Sequence, residues 1–214
     1  MKNKTHPVDS SQFWDERYRQ NATGWELGTP TPAFVDCFSG LKNNLGSLLV
    51  LGSGSGHDAI WLAQQGYKVT GVDFSLEAVH RSLSNAKLAN VSPTFLRRDV
   101  FELSPDEFGW FDIIVEYVTF CAINPSRRAE FVRVVSNMLR PGGTFVGLFF
   151  PLDNRSGGPP FAVNIDEIRE LFGDHFELQS SVEPARSVSP RMGKEMLMIW
   201  IKNEIRTHET STLQ

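Results

Sequence analysis

The sequence predicts an α/β fold built on a mostly parallel seven-stranded sheet with helices on both faces. Three observations carry this expectation: seven short runs rich in Val, Ile, Leu and Phe, segments of helical period between them, and a glycine-rich turn joining the first run directly to a helix.

In chain order, the first strand is LLVLG (48–52), followed by a helix at about 57–65. YKVTGVD (67–73) and a helix at 75–89 repeat the unit, and TFLRRDV (94–100) and FDIIVEYV (111–118) add two more strands. A helix at 126–140 is closed by Pro141, Gly142 and Gly143, the residues of a helix stop and turn, before the strand TFVGLFF (144–150). A helix at 164–172 and the strands HFELQSSVE (175–183) and EMLMIWI (195–201) complete the pattern. Upstream, FWDERYRQNATGWELGTPTPAF (13–34) holds two Trp, two Phe and a Tyr with too much Gly and Pro for one element. Only a short helix over about 11–20 is expected there, with Trp14 and Tyr18 on one face.

The 214 residues, 41% hydrophobic and 21% charged, fit one domain spanning 1–214, with polar and loose ends at 1–10 and 203–214. A net charge of -4, with Lys and Arg dispersed, provides no tract to follow a phosphate backbone, so nucleic acid is not an expected partner. Cys37 and Cys121 are too few for a disulfide framework, the opening MKNKTHPVDS lacks a signal-peptide core, and no run reaches membrane-spanning length. A cytoplasmic protein with no membrane partner is expected. No His, Cys or Asp cluster has metal-ligand spacing, so no metal is expected.

LLVLGSGSGHDAIWLA places Gly52, Gly54 and Gly56 at the carboxyl end of the first strand, where open α/β sheets bind ligands. The second strand ends in Asp73, where a carboxylate accepts from ribose hydroxyls. A dinucleotide fingerprint requires glycine at position 57, and His57 stands there. That argues against a nicotinamide-dependent oxidoreductase and for a nucleoside without pyrophosphate, such as S-adenosylmethionine. The competing explanation is that each glycine merely satisfies a positive φ. Asp99, with Val100, ends the third strand on the same edge, as an adenine contact or as the cap of the next segment. The fourth strand delivers Glu116 and Tyr117 toward the reacting methyl group: Glu116 is expected first to contact the cofactor or shape the pocket and only second to act as base for a neutral thiol, and Tyr117 is a candidate cofactor contact and the other candidate for a catalytic role. Asp112 reads as a strand-start residue, Cys121 as core, and His57 as a contact at the helix start.

LGSGSGHD, GVDFS, RRDVFEL, FDIIVEYVTFCAINPSRR, LRPGG, FPLDNRSGGPPFAV and the opening FWDERY and TGWELGTPTP together resemble the thiopurine S-methyltransferase family, closest to its plant-type halide and thiol methyltransferase branch, over about residues 12–201. The resemblance implies a Rossmann-like class I S-adenosylmethionine-dependent methyltransferase fold. It implies that 11–34 forms a lid in which Trp14, Tyr18 and Trp25 close on the cofactor, and that Trp25 and Phe161 face the substrate. Aromatic faces suit a sulfonium cation, though the same rings also suit simple packing on the sheet. Tyr18 stands where relatives often carry Trp, Ser53 where they often carry Cys, and Phe161 where relatives carry Tyr. The implied reaction is methyl transfer to a small soft nucleophile (thiol, hydrosulfide, thiocyanate or halide), releasing S-adenosylhomocysteine. The alternatives are an aromatic thiol such as a thiopurine and, in a different class, a cofactor-binding regulator without catalysis. A small-molecule substrate and a monomer are expected.

Overall fold

Side chains of the apolar run at 47–51 alternate between two buried layers. Leu48 and Val50 join one hydrophobic cluster, Leu49 and Leu51 the other. A strand buried on both faces needs apolar residues at every position, which is why the run lacks the polar alternation of a half-exposed strand.

The computed structural model describes residues 7–39 and 46–204. The expected loose ends lie outside the described residues except for 7–10 and 203–204. Ser47–Leu51 (β1), Lys68–Asp73 (β2), Thr94–Arg97 (β3), Phe111–Tyr117 (β4), Leu139–Phe149 (β5), Phe176–Val182 (β6) and Met196–Lys202 (β7) form a single sheet in the order β3-β2-β1-β4-β5-β7-β6. The first five strands pair in parallel, and β7 lies antiparallel between β5 and β6. The helices are Ser11–Arg19 (α1), Pro32–Ser39 (α2), His57–Gln64 (α3), Leu76–Leu88 (α4), Pro105–Phe108 (α5), Arg128–Met138 (α6) and Ile165–Gly173 (α7). Side chains of α2, α3 and α4 fill one cluster, and those of α6 and α7 the other. The predicted mostly parallel sheet with helices on both faces is therefore present.

The third strand ends at Arg97 rather than at 100, because Asp99 caps a 3₁₀ turn at Val100–Glu102 instead of continuing the strand, and two further boundaries differ from expectation. The helix expected at 126–140 ends at Met138, because Leu139 already has extended backbone and pairs with Phe111. Its carbonyl accepts from the Lys202 ammonium at 2.7 Å, so sheet pairing wins over another helical turn. Pro141, Gly142 and Gly143 thus fall within β5, beside a register shift between Phe111 and Ile113. The second of these is α2, which takes residues 32–34 of the presumed lid into a helix with Phe34 and Phe38 buried. Pro32 is tolerated in the first helical turn. Just upstream, Thr31 donates to both oxygens of the half-buried Asp58, from its amide at 2.6 Å and its hydroxyl at 2.9 Å. Asp112 sits at the start of β4, where Oδ2 accepts from the Ser47 amide at 2.7 Å and the Ser47 hydroxyl at 2.8 Å. Among the described residues, no helix is long and apolar enough to cross a membrane.

Candidate active site

β1 ends in Leu51, and the chain turns through Gly52, Gly54 and Gly56, all at positive φ, before α3 begins at His57. The turn is held from the neighbouring strand. The Ser53 amide donates to the Val72 carbonyl at 2.9 Å, and the Gly54 amide to Asp73 Oδ2 at 2.9 Å. Asp73 Oδ1 accepts from the Ser75 amide at 2.8 Å. Each oxygen therefore keeps accepting capacity for a further hydroxyl. Burial pushes the Asp73 carboxyl up to about 6, with Glu26 and Asp15 adding to the rise against the two backbone hydrogen bonds.

A cavity of about 440 Å³ opens at this carboxyl edge of the sheet. Of the residues singled out from sequence, Trp14, Tyr18, Trp25, Gly52, Asp73, Asp99 and Val100 line it. The three N-terminal rings form one cluster, with Trp25 edge-on to Trp14 at 5.5 Å and to Tyr18 at 5.6 Å between centroids. The Tyr18 hydroxyl accepts from Trp25 Nε1 at 3.2 Å, so the one polar atom that Tyr adds is partnered. α1 packs on α4, and the Arg81 guanidinium stacks over the Tyr18 ring at 5.2 Å. Asp99 serves also as a cap, its Oδ1 accepting from the Phe101 amide at 3.0 Å.

Gly54, Gly56, Glu116, Tyr117 and Phe161 do not line the cavity. Gly54 faces Tyr18 instead: a Cβ there would stand 3.1 Å from the Tyr18 hydroxyl. Glu116 is buried behind the wall, where Oε2 accepts from the Thr119 amide at 3.2 Å and the Phe120 amide at 3.0 Å, and Oε1 has no partner. Burial pushes its carboxyl up to about 7. Tyr117 donates to Glu195 and accepts from Arg191. The half-buried Phe161 ring lies against Gly158, the Phe161 amide donates to the Cys121 carbonyl at 2.7 Å, and Pro159 and Pro160 meet the cavity in its place. His57 opens α3 without lining the cavity. Among the described residues, no group of three His, Cys, Asp or Glu side chains is placed to hold a metal.

Val118, Thr119, Cys121, Phe150 and Arg191 line the cavity without having been singled out as site residues. Val118 has φ +56°, a conformation a β-branched residue seldom adopts, and the Glu116 bonds to the next two amides hold the turn that imposes it. The Cys121 thiol is buried, and that burial raises its pKa, so it is not a thiolate nucleophile. Only Val118 and Thr119 carried a usable signal, as the last residue of a predicted strand and the one after it.

A family model described as thiopurine S-methyltransferase matches residues 9–209. The chain is 37% identical to a probable thiol methyltransferase 2 of Arabidopsis thaliana, covering 91% of this chain and 87% of that protein. It is 33% identical to a thiocyanate methyltransferase 1 of Brassica oleracea, covering 88% and 84%. Among solved structures, Burkholderia thailandensis 1,6-didemethyltoxoflavin-N1-methyltransferase superposes with a TM-score of 0.69 at 21% identity, covering 91% of this chain and 87% of that one, which supports the same fold.

Proposed function

This chain belongs to the thiopurine S-methyltransferase family and is an S-adenosylmethionine-dependent methyltransferase; on that premise we propose that its acceptor is a small soft nucleophile of the thiol, hydrosulfide, thiocyanate or halide class. The observation that carries the proposal is the composition of the cavity. One side holds Gly52, Asp73 and Asp99, while Val118, Cys121, Phe150, Pro159 and Pro160 supply an apolar wall. At about 440 Å³ it stands near the small end of ligand cavities and must hold donor and acceptor together. That favours a compact acceptor.

The residues fit the cofactor. Gly52 lines the cavity in a turn so tight that any side chain would collide with Thr119, which leaves its backbone bare toward a ligand, and Asp73 keeps accepting capacity in both carboxyl oxygens for ribose. When bound, S-adenosylmethionine supplies a methyl group on a sulfonium: the acceptor's electron pair forms the new bond to carbon, and the pair of the broken bond returns to sulfur. Opposite charges shrink together in that displacement, so the protein gains little from oxyanion-type donors. Its side chains act by alignment, worth on the order of 7 to 11 kcal/mol, and by excluding water. Trp14, Tyr18 and Trp25 serve both ends. Glu116 is assigned no base role, because its oxygens lie behind the wall.

Headspace gas chromatography of purified protein with S-adenosylmethionine and, separately, hydrosulfide, thiocyanate or iodide tests the proposal, with a thiopurine followed by absorbance. A volatile methylated product from a small anion is expected. Turnover of the thiopurine alone would move the assignment to an aromatic thiol.

A further inference from the structure

Arg191 is 6% exposed, a degree of burial that arginine accepts only with partners. Nη2 donates to the Trp25 carbonyl at 2.7 Å and Nη1 to the Tyr117 hydroxyl. The rings of Tyr117 and Phe150 lie 5.1 and 5.3 Å from its central carbon. None of these partners carries a negative charge.

The nearest carboxylate in the network is one hydroxyl removed. Tyr117 donates to Glu195, whose other oxygen accepts from the Ser187 hydroxyl. Among the described residues no carboxylate oxygen stands within 4.0 Å of the Arg191 nitrogens; of the other arginines in the cavity wall, Arg127 is paired with Glu130 at 2.9 Å and with Asp9 at 4.0 Å, Arg98 with Glu107 at 2.7 Å, and the less buried Arg17 lies over the Phe13 ring. Arg191 faces the cavity beside Pro190, Pro160 and Phe150. A buried cation in an apolar wall, with its counter-charge held back behind a neutral hydroxyl, is half of an ion pair.

We propose that Arg191 receives the methyl acceptor as an anion and thereby selects acceptors that are negatively charged at the pH of the reaction. This rests on the soft-nucleophile assignment above. A cation at about 4–6 Å favours the charged form of a thiol and lowers its pKa by about 1–3 units, so a thiol binds as the thiolate and no protein base is required. Tyr117 and Glu195 are positioning residues: they fix the guanidinium without neutralising it at the cavity surface.

The test uses the full chain with Arg191→Met and Arg191→Lys. Thiocyanate binding to the protein loaded with S-adenosylhomocysteine is read from tryptophan fluorescence, S-adenosylhomocysteine affinity from calorimetry, and kcat/KM from pH profiles. Thiocyanate affinity is expected to fall about tenfold or more in Arg191→Met and to recover partly in Arg191→Lys, with S-adenosylhomocysteine affinity within about threefold of wild type. The hydrosulfide profile in Arg191→Met should shift about one unit upward, while the profile for thiocyanate, an anion throughout, should not. Unchanged thiocyanate affinity overturns the proposal. So does an equal loss of S-adenosylhomocysteine affinity, which would assign Arg191 to holding Trp25 alone. Arginine-dependent thiocyanate binding without methyl transfer would keep the anion site and retire the acceptor assignment. Wild-type methylation of thiocyanate with Arg191→Met unaffected would do the reverse.

Discussion

Asp15 on α1 accepts a 2.6 Å hydrogen bond from the hydroxyl of Ser75, the residue that caps α4. The Ser75 amide in turn donates to Asp73, and Asp73 accepts from Gly54. A single chain of bonds thus runs from the N-terminal helix to the glycine turn, and the aromatic wall is registered on Asp73 rather than laid loosely over it.

Asp15→Ala should therefore release α1. Its removal leaves the buried Ser75 hydroxyl without its acceptor, with an expected loss of about 1–3 kcal/mol in urea unfolding. S-adenosylhomocysteine affinity should fall severalfold, because α1 carries Trp14 and Tyr18. Calorimetry showing wild-type affinity in an otherwise folded variant would dissociate α1 from cofactor binding.

Asp73→Ala should weaken S-adenosylhomocysteine binding by about tenfold or more through loss of a charge-assisted contact. It should also cost about 1–3 kcal/mol of stability, since the Gly54 and Ser75 amides lose their acceptor. A variant that binds normally would show that the ribose lies elsewhere.

Glu116 gives a pH signature. Its carboxyl is pushed by burial to about 7 in the folded protein, above its ordinary value of 4.5. The folded state holds a proton that the unfolded chain releases, so this contribution is fully present below about pH 4.5 and is lost as pH rises through about 7. The difference in unfolding free energy between wild type and Glu116→Gln should drift by up to about 3 kcal/mol between pH 5 and 8, against wild type at the alkaline end. Parallel stability curves would show that Glu116 titrates as an ordinary carboxylate.

Two glycines should respond in opposite directions. Gly52 has φ +57°, and a Cβ there would collide with the Thr119 hydroxyl, which donates to the Leu51 carbonyl at 3.0 Å. Gly52→Ala should destabilise by about 1–3 kcal/mol and suppress cofactor binding. At Gly173, the last residue of α7, a Cβ meets nothing within 4 Å, and alanine should be neutral or add up to about 1 kcal/mol. Similar thermal shifts for both would contradict the turn geometry.

The sheet was legible because strands buried on both faces leave unbroken apolar runs, and the glycine turn because its backbone demands are local. α2 was missed because PTPAFVDCFS begins with turn residues, and its helical state depends on Phe34 and Phe38 packing into a core formed elsewhere. LRPGG carries a helix-stop signal, but pairing with β4 decides where the helix gives way. Arg191 was invisible for a stronger reason. What buries it are bonds to residues 74 and 166 positions away, and an arginine destined for a cavity wall looks in sequence like one destined for solvent. The same long-range bonds take Tyr117 out of the cavity, although its place at the end of β4 pointed there.

The bond between Arg191 and Trp25, two residues that line the cavity, ties the loop before β7 to the N-terminal segment, and β7, the last strand in sequence, separates β5 from β6 in the sheet. On the ribosome, where the N-terminal part emerges first, β6 has no place to dock until its successor has been translated. A chain that stops short of β7 therefore leaves β5 without its antiparallel neighbour and β6 with no strand to pair with.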